Sequence, residues 1–206
     1  MDRCRLILVM GVQRSGTNAL FASLERGAKH AFNEAEDSAL FDGFFLRDDV
    51  VVRQVLEDCS GVVLVKPISE TKRRSVSDVL TAYADFAPSV VWIYRDPVNC
   101  YASHIERWEG FRGRPAAFAA SWAQRNQSIL DALDTNADQI TVVRYEDLTR
   151  SPAMVVSLGG VLGLKIRSKF RRDRRRGRRE LSQDTVATIV SGTTPVLLAL
   201  DDACSL

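Results

Sequence analysis

The chain has 206 residues, 46% hydrophobic and 26% charged, with a formal net charge of +2. That length is enough to bury a full core as one domain, 1–206, and the composition excludes a disordered or collagenous chain. No uninterrupted apolar run approaches the roughly 20 residues that cross a bilayer, so no membrane span is expected.

In chain order, the apolar residues 6–10 read as a strand. This run is too short for the apolar part of a signal peptide, which points to the cytoplasm. A glycine turn follows, then residues 19–24, where Leu20, Phe21 and Leu24 share one helical face. Gly27 ends that helix, and residues 30–34 form a short second strand. Residues 35–48 mix acids with Phe41, Phe44 and Phe45. These aromatics either line a pocket or pack a short helix onto the core. Residues 49–59 are helical, 62–65 are a buried strand ending at Lys66, and 69–74 are a polar loop. A helix over 75–86 leads to the strongest strand, Ser89–Tyr94, β-branched and aromatic throughout. Asp96 caps the next helix and Pro97 suits its first turn. A long amphipathic helix covers 115–133, with Phe118, Trp122, Ile129 and Leu133 as its stripe. A strand over 139–145, a glycine-broken helix over 154–164, a basic run and two closing helices, 182–191 and 195–203, complete the chain.

This alternation predicts an α/β fold: a three-layer sandwich with a central parallel sheet and helices on both faces. Ligands of such sheets sit outside the carboxyl ends of the strands. Arg14, Glu34, Lys66, Arg95 and Tyr145 all fall at or just after such ends, on one rim.

The turn itself, Gly11, Val12, Gln13, Arg14, Ser15, Gly16, Thr17 and Asn18, has the plan of a phosphate-binding loop. Backbone N–H groups at a helix N-terminus face an anion there, and the helix dipole favours it. The two glycines stand five apart, as in a P-loop, where Lys and Ser/Thr normally follow. Here Thr17 and Asn18 hold those places and the cation, Arg14, has moved into the loop. The loop can grip a phosphate but lacks two parts used on a metal-bound triphosphate. A donor without a γ-phosphate is implied.

This pattern resembles the 5′-phosphosulfate loop of the sulfotransferases that use PAPS (3′-phosphoadenosine 5′-phosphosulfate), in which a basic residue precedes Ser-Gly-Thr. Two further motifs carry the same resemblance. Arg95 at a strand end and Ser103 on the following helix look like the family's 3′-phosphate motif. A planar fork and a hydroxyl suit a group with close to two negative charges. Arg175, Arg176 and Gly177 resemble the family's C-terminal loop over that phosphate, and Tyr145 matches the Tyr of its Tyr-Glu-Asp stretch, which touches adenine. Ala19 stands where many cytosolic members carry an adenine-stacking Trp, so the base must be held otherwise.

The resemblance implies a P-loop-containing nucleotide hydrolase-like fold and sulfuryl transfer from PAPS to a small-molecule or carbohydrate acceptor. The product is adenosine 3′,5′-bisphosphate, and no metal is required. Gln13, Arg14, Ser15, Gly16, Thr17 and Asn18 would hold the 5′ end. Arg14 and Lys66 would stabilise charge on the leaving phosphate. Cytosolic hormone-type members carry a base, His, two residues after that Lys; here Ile68 stands there. Other branches use a Glu after the second strand, which selects Glu34, with Glu36 as the alternative.

Net charge hides an asymmetry. Residues 165–179 hold 10 of the 28 basic residues and 1 of the 26 acidic ones, so this segment is +9 and the remainder −7. Such a run wants an anionic partner or solvent. Nucleic acid is the rival partner, but only Phe170 offers an aromatic platform there, and none is expected to bind. The four cysteines, Cys4, Cys59, Cys100 and Cys204, form no C-x-x-C pair, so neither a zinc site nor a disulfide framework is indicated. Two other classes remain as readings of the motifs: a P-loop kinase of a small molecule, and a non-catalytic nucleotide- or RNA-binding module. Acceptor identity and oligomeric state stay open.

Overall fold

The computed structural model describes residues 4–166, 170 and 180–204. Strand β1 (Arg5–Gly11) leads through the glycine turn into α1 (Thr17–Leu24), then β2 (His30–Asn33). Two short strands, β3 (Phe41–Asp42) and β4 (Phe45–Leu46), pair as an antiparallel hairpin. There follow α2 (Asp49–Glu57), β5 (Val62–Lys66), α3 (Val76–Ala82), β6 (Ser89–Tyr94), α4 (Pro97–Ile105), α5 (Pro115–Asn136), β7 (Ile140–Arg144), α6 (Tyr145–Arg150), α7 (Met154–Val161) and α8 (Gln183–Ala203).

Five strands pair in parallel in the order β2-β5-β1-β6-β7. The chain leaves β1 towards one side of the sheet and later returns to its other side with β6. The glycine turn therefore opens at the point where strand order reverses, the usual crevice of open α/β sheets. Strand residues alternate between two apolar cores. Ile7, Val9, Leu64, Val91, Ile93 and Val143 pack with α1 and α7 through Leu20, Leu24, Val155 and Leu158. Leu8, Met10, Val65, Trp92 and Val142 pack on the opposite face with α2, α3, α5 and α8 through Leu56, Val79, Trp122 and Ile189. Burial on both faces explains why these strands read as nearly continuous apolar runs. The α/β sandwich with a central parallel sheet is thus as the sequence predicts.

The opposite face carries one buried polar link. Trp92 donates its indole N–H to Asn126 Oδ1 at 2.9 Å, and the Asn126 amide donates to the Trp122 carbonyl at 3.0 Å. Both Trp92 and Asn126 are fully buried. Caps follow local chemistry. Ser75 and Asp78 form a reciprocal capping box on α3, and Asp96 accepts from the Asn99 amide at 2.7 Å on α4.

Four local expectations need correction. The two closing helices are one, α8, which continues through Pro195 at the loss of one helical hydrogen bond. Packing decides this: Ile189, Thr193 and Leu200 are fully buried, and a Cβ on Gly192 would lie 2.9 Å from Ala119 Cβ, so α8 lies hard against α5. Merged, α8 is also long and apolar enough, by length and composition alone, to cross a membrane. The polar loop after β5 is a 3₁₀ turn, Ile68–Lys72, with Ser69 and Glu70 buried. Glu70 has a structural task there, accepting from the Leu46 amide at 3.1 Å. The hairpin β3–β4 stands where a mixed segment was read. Finally, β7 stops at Arg144, and Tyr145 opens α6.

Candidate active site

The glycine turn is shaped by its neighbours as much as by its own residues. Gly11 is required by crowding: a Cβ there would sit 2.3 Å from the Ile93 carbonyl oxygen. Gly16 has φ 107°, and a Cβ on it would lie 2.2 Å from Tyr145 Cδ2. Between them Arg14 adopts φ 71°, a strained conformation for a residue with a side chain. The turn closes with the Ser15 amide donating to the Val12 carbonyl at 3.0 Å, and Leu20 N–H donates back to Gly16 O at 3.0 Å. The first N–H groups of α1 have no helical acceptor and face the rim. Ser15 is fully buried, and its hydroxyl has no hydrogen-bond partner among the described residues. Cys100 braces the turn from below, its thiol donating to the Gln13 carbonyl at 3.2 Å; burial pushes that thiol's pKa up to about 12.

The expected residues of the two phosphate motifs meet. Arg14 Nε donates to Ser103 Oγ at 3.0 Å, and the Arg14 guanidinium lies 5.6 Å from the centre of the Trp108 ring. Arg95 reaches the Arg14 carbonyl at 3.4 Å and stacks 4.7 Å above the Tyr145 ring. Among the described residues its buried Nε has no hydrogen-bond acceptor, and the Glu146 Oε1 carboxylate oxygen stands 3.9 Å away. Tyr145 is only 8% exposed; Gly16, Arg95 and Phe170 surround its ring. Tyr145 thus supports the turn and Arg95 from beneath. Arg175, Arg176 and Gly177 lie outside the described residues.

On the other side of β1, Lys66 ends β5 and is buried, 4% exposed. Its ammonium donates to Asn18 Oδ1, so the Asn in place of a metal-binding hydroxyl holds the Lys across the turn. Glu34, just after β2, accepts from the Ser69 amide at 2.8 Å and from its hydroxyl at 3.5 Å. Burial raises the Glu34 pKa, opposed by the Ser69 amide and the charge of Lys66. Burial lowers that of Lys66, opposed by Glu34 and Glu36. In both groups desolvation outweighs the opposite charge nearby. Glu36 is exposed, and Thr17 is buried at the start of α1.

Three parts of this arrangement escaped sequence reasoning. Ser69 reads as loop in the sequence, and its position three residues after Lys66 is the available signal. Glu146 was read only as a strand terminus, yet it faces Arg95. The third is a group of His104, Trp122 and Arg125 beside the turn. Of the aromatics, Phe41 is in the core, Phe44 is 59% exposed, and Phe45 lies under the Arg73 guanidinium at 3.5 Å. Among the described residues, no group of three or more His, Cys, Asp or Glu side chains could hold a metal ion.

No protein-family model and no curated protein matches the sequence. Solved structures do. A sulfotransferase from Alicyclobacillus acidocaldarius superposes with a TM-score of 0.61 at 16% identity, covering 98% of this chain and 96% of that one. The sulfotransferase domain of the Synechococcus PCC 7002 olefin synthase gives 0.51 at 16% identity, over 81% and 76%. Mouse sulfotransferase SULT7A1, solved with PAP, gives 0.54 at 12% identity, over 95% and 66%. Over nearly its whole length, this chain therefore has the sulfotransferase fold.

Proposed function

We propose that the protein is a PAPS-dependent sulfotransferase acting on a hydroxyl or amine of a small-molecule or carbohydrate acceptor. One observation supports the reading: Arg14, Lys66 and Arg95 stand at strand ends on one rim, which we take as two anion grips, the turn with Arg14 and Lys66, and Arg95, with Ser103 held by the Arg14 guanidinium. Two buried polar atoms without partners among the described residues, Ser15 Oγ and Arg95 Nε, lie one in each grip. Each is what an anionic oxygen would satisfy. They follow the ends of adjacent parallel strands, β1 and β6.

In the reaction, the acceptor oxygen or nitrogen forms a bond to sulfur while the bond from sulfur to the 5′-phosphate oxygen breaks. The acceptor proton passes to Glu34. Negative charge grows on the departing phosphate, and the Arg14 and Lys66 cations are placed to stabilise it. A lost donor of this kind costs roughly 3–4 kcal/mol of barrier. The raised pKa of Glu34 makes it a stronger base than an ordinary carboxylate, and Ser69 fixes its orientation. A kinase would need a partner for a γ-phosphate and its metal where Asn18 instead holds Lys66.

Calorimetry with adenosine 3′,5′-bisphosphate and 5′-AMP, without metal, tests this. The expected result is tighter binding of the bisphosphate by about 10-fold or more, lost in Arg95→Ala. Equal affinities in the unaltered protein would refute the two-grip reading. A turnover assay with labelled PAPS and a panel of acceptors then identifies the transfer itself.

A further inference from the structure

Between α4, α5 and the glycine turn lies a half-open cavity of about 20 Å³. Phe111 and Phe118 form its apolar side, Gln13 borders it from the turn, and His104, Trp122 and Arg125 supply its polar side. The volume suits one small polar group rather than the body of a ligand.

Among the described residues, two of its polar side chains, Trp122 and Arg125, lack partners. Trp122 is 1% exposed, and its buried indole N–H has no acceptor among the described residues. Arg125, half-buried, pairs with no carboxylate among the described residues, and burial alone lowers its pKa. His104 is depressed by burial first, and then by the nearby charges of Arg14 and Arg125. The imidazole is therefore a neutral member of a cationic pocket. A water could satisfy the unpaired donor, but only an anion balances the buried guanidinium charge as well. A donor nucleotide's two anionic ends already have their grips at the turn and at Arg95. The cavity is a third cationic point, bordered by the turn through Gln13 and near enough to Arg14 for that charge to act on His104.

We infer that this cavity docks a carboxylate carried by the acceptor, held by the Arg125 guanidinium and the Trp122 indole N–H, with the acceptor's apolar body outside it against Phe111 and the exposed Trp108. A planar carboxylate matches the guanidinium fork and the small volume better than a tetrahedral anion does. The inference rests on the sulfotransferase reading for the word acceptor, but not for the anion site.

The test is a matched pair of probes, 4-hydroxybenzoate and 4-hydroxybenzamide, titrated calorimetrically into the protein with and without adenosine 3′,5′-bisphosphate. Benzoate should bind about 10-fold or more tighter than the amide. Arg125→Gln should bring the two together while bisphosphate affinity stays within about twofold, as for independent sites. Equal binding of the probes, no binding of either, or a preference that survives Arg125→Gln overturns the proposal. So does a parallel loss of bisphosphate affinity, which would assign Arg125 to the donor. A benzoate preference in a protein that does not bind the bisphosphate would keep the carboxylate site and remove the sulfotransferase reading.

Discussion

Gly16→Ala should damage the site out of proportion to the one carbon it adds. The glycine has φ 107°, and a Cβ would lie 2.2 Å from Tyr145 Cδ2, 2.7 Å from Cε2 and 3.3 Å from Cγ. The new methyl therefore meets the edge of a ring that is 8% exposed and cannot swing away into solvent. Two costs add. A left-handed conformation costs an alanine about 1–2 kcal/mol, and forcing an extra carbon into packed surroundings costs about 1–3 kcal/mol more. Gly43 separates them. It has φ 59° with nothing within 4 Å of its notional Cβ, so Gly43→Ala has the backbone cost alone. Thermal melts should place Gly16→Ala about 4–20 °C below the unaltered protein and Gly43→Ala about 2–8 °C below. The ring also carries Arg95, 4.7 Å above its centre, so displacing it moves the proposed 3′-phosphate grip. Affinity for adenosine 3′,5′-bisphosphate should fall about 10–100-fold in Gly16→Ala and not in Gly43→Ala. Equal melting points for the two variants, with wild-type bisphosphate affinity in both, would refute the contact between turn and ring.

Glu34→Gln should lower kcat by about 10²–10⁴-fold and leave bisphosphate affinity unchanged; full turnover would transfer the base assignment to Glu36. The acid limb of the kcat/KM profile should lie above the ordinary carboxylate range, because burial raises the Glu34 pKa, and it should vanish in Glu34→Gln. Stability follows the same shift. The folded protein holds this proton more tightly than the unfolded chain, so the contribution of Glu34 is present below the unfolded pKa and is lost as pH rises through the folded one. Glu34→Gln should therefore gain on the parent in denaturant midpoint at neutral pH relative to acid pH, and a pH-independent difference would contradict it. Asn126→Leu strips the acceptor from the Trp92 indole, leaving a buried donor unpaired at a cost of about 1–3 kcal/mol, visible as a lower denaturant midpoint.

What the sequence shows of this molecule is what is local. The glycine turn, its strand and its helix lie within 20 residues of one another, and each shows in spacing or periodicity. The rim placement of Glu34, Lys66 and Arg95 follows from strand ends alone, since a parallel sheet puts those ends together. What stays hidden depends on contacts between distant segments. Pro195 reads as a break, and only the crossing of α8 against α5 keeps the helix whole. Tyr145 shows as a strand-end aromatic, but its task under Gly16 comes from a neighbour 129 positions away. The Arg125 cavity is assembled from α4, α5 and the turn, and no periodicity marks it, because Arg125 reads as the polar face of an amphipathic helix.

The end of α8 reaches the rim through charge rather than through contact with the turn. Asp201 accepts from the Tyr94 hydroxyl at 2.7 Å and from Arg144 at 3.1 Å; Arg144 also lies 3.7 Å from Glu146, the carboxylate that faces Arg95. Asp201 and Glu146 thus share one guanidinium. If the last turn of α8 withdrew, Arg144 would turn wholly to Glu146, and Arg95 would lose part of its counter-charge. The charge balance around Arg95 is in this way tied to where that last helical turn sits.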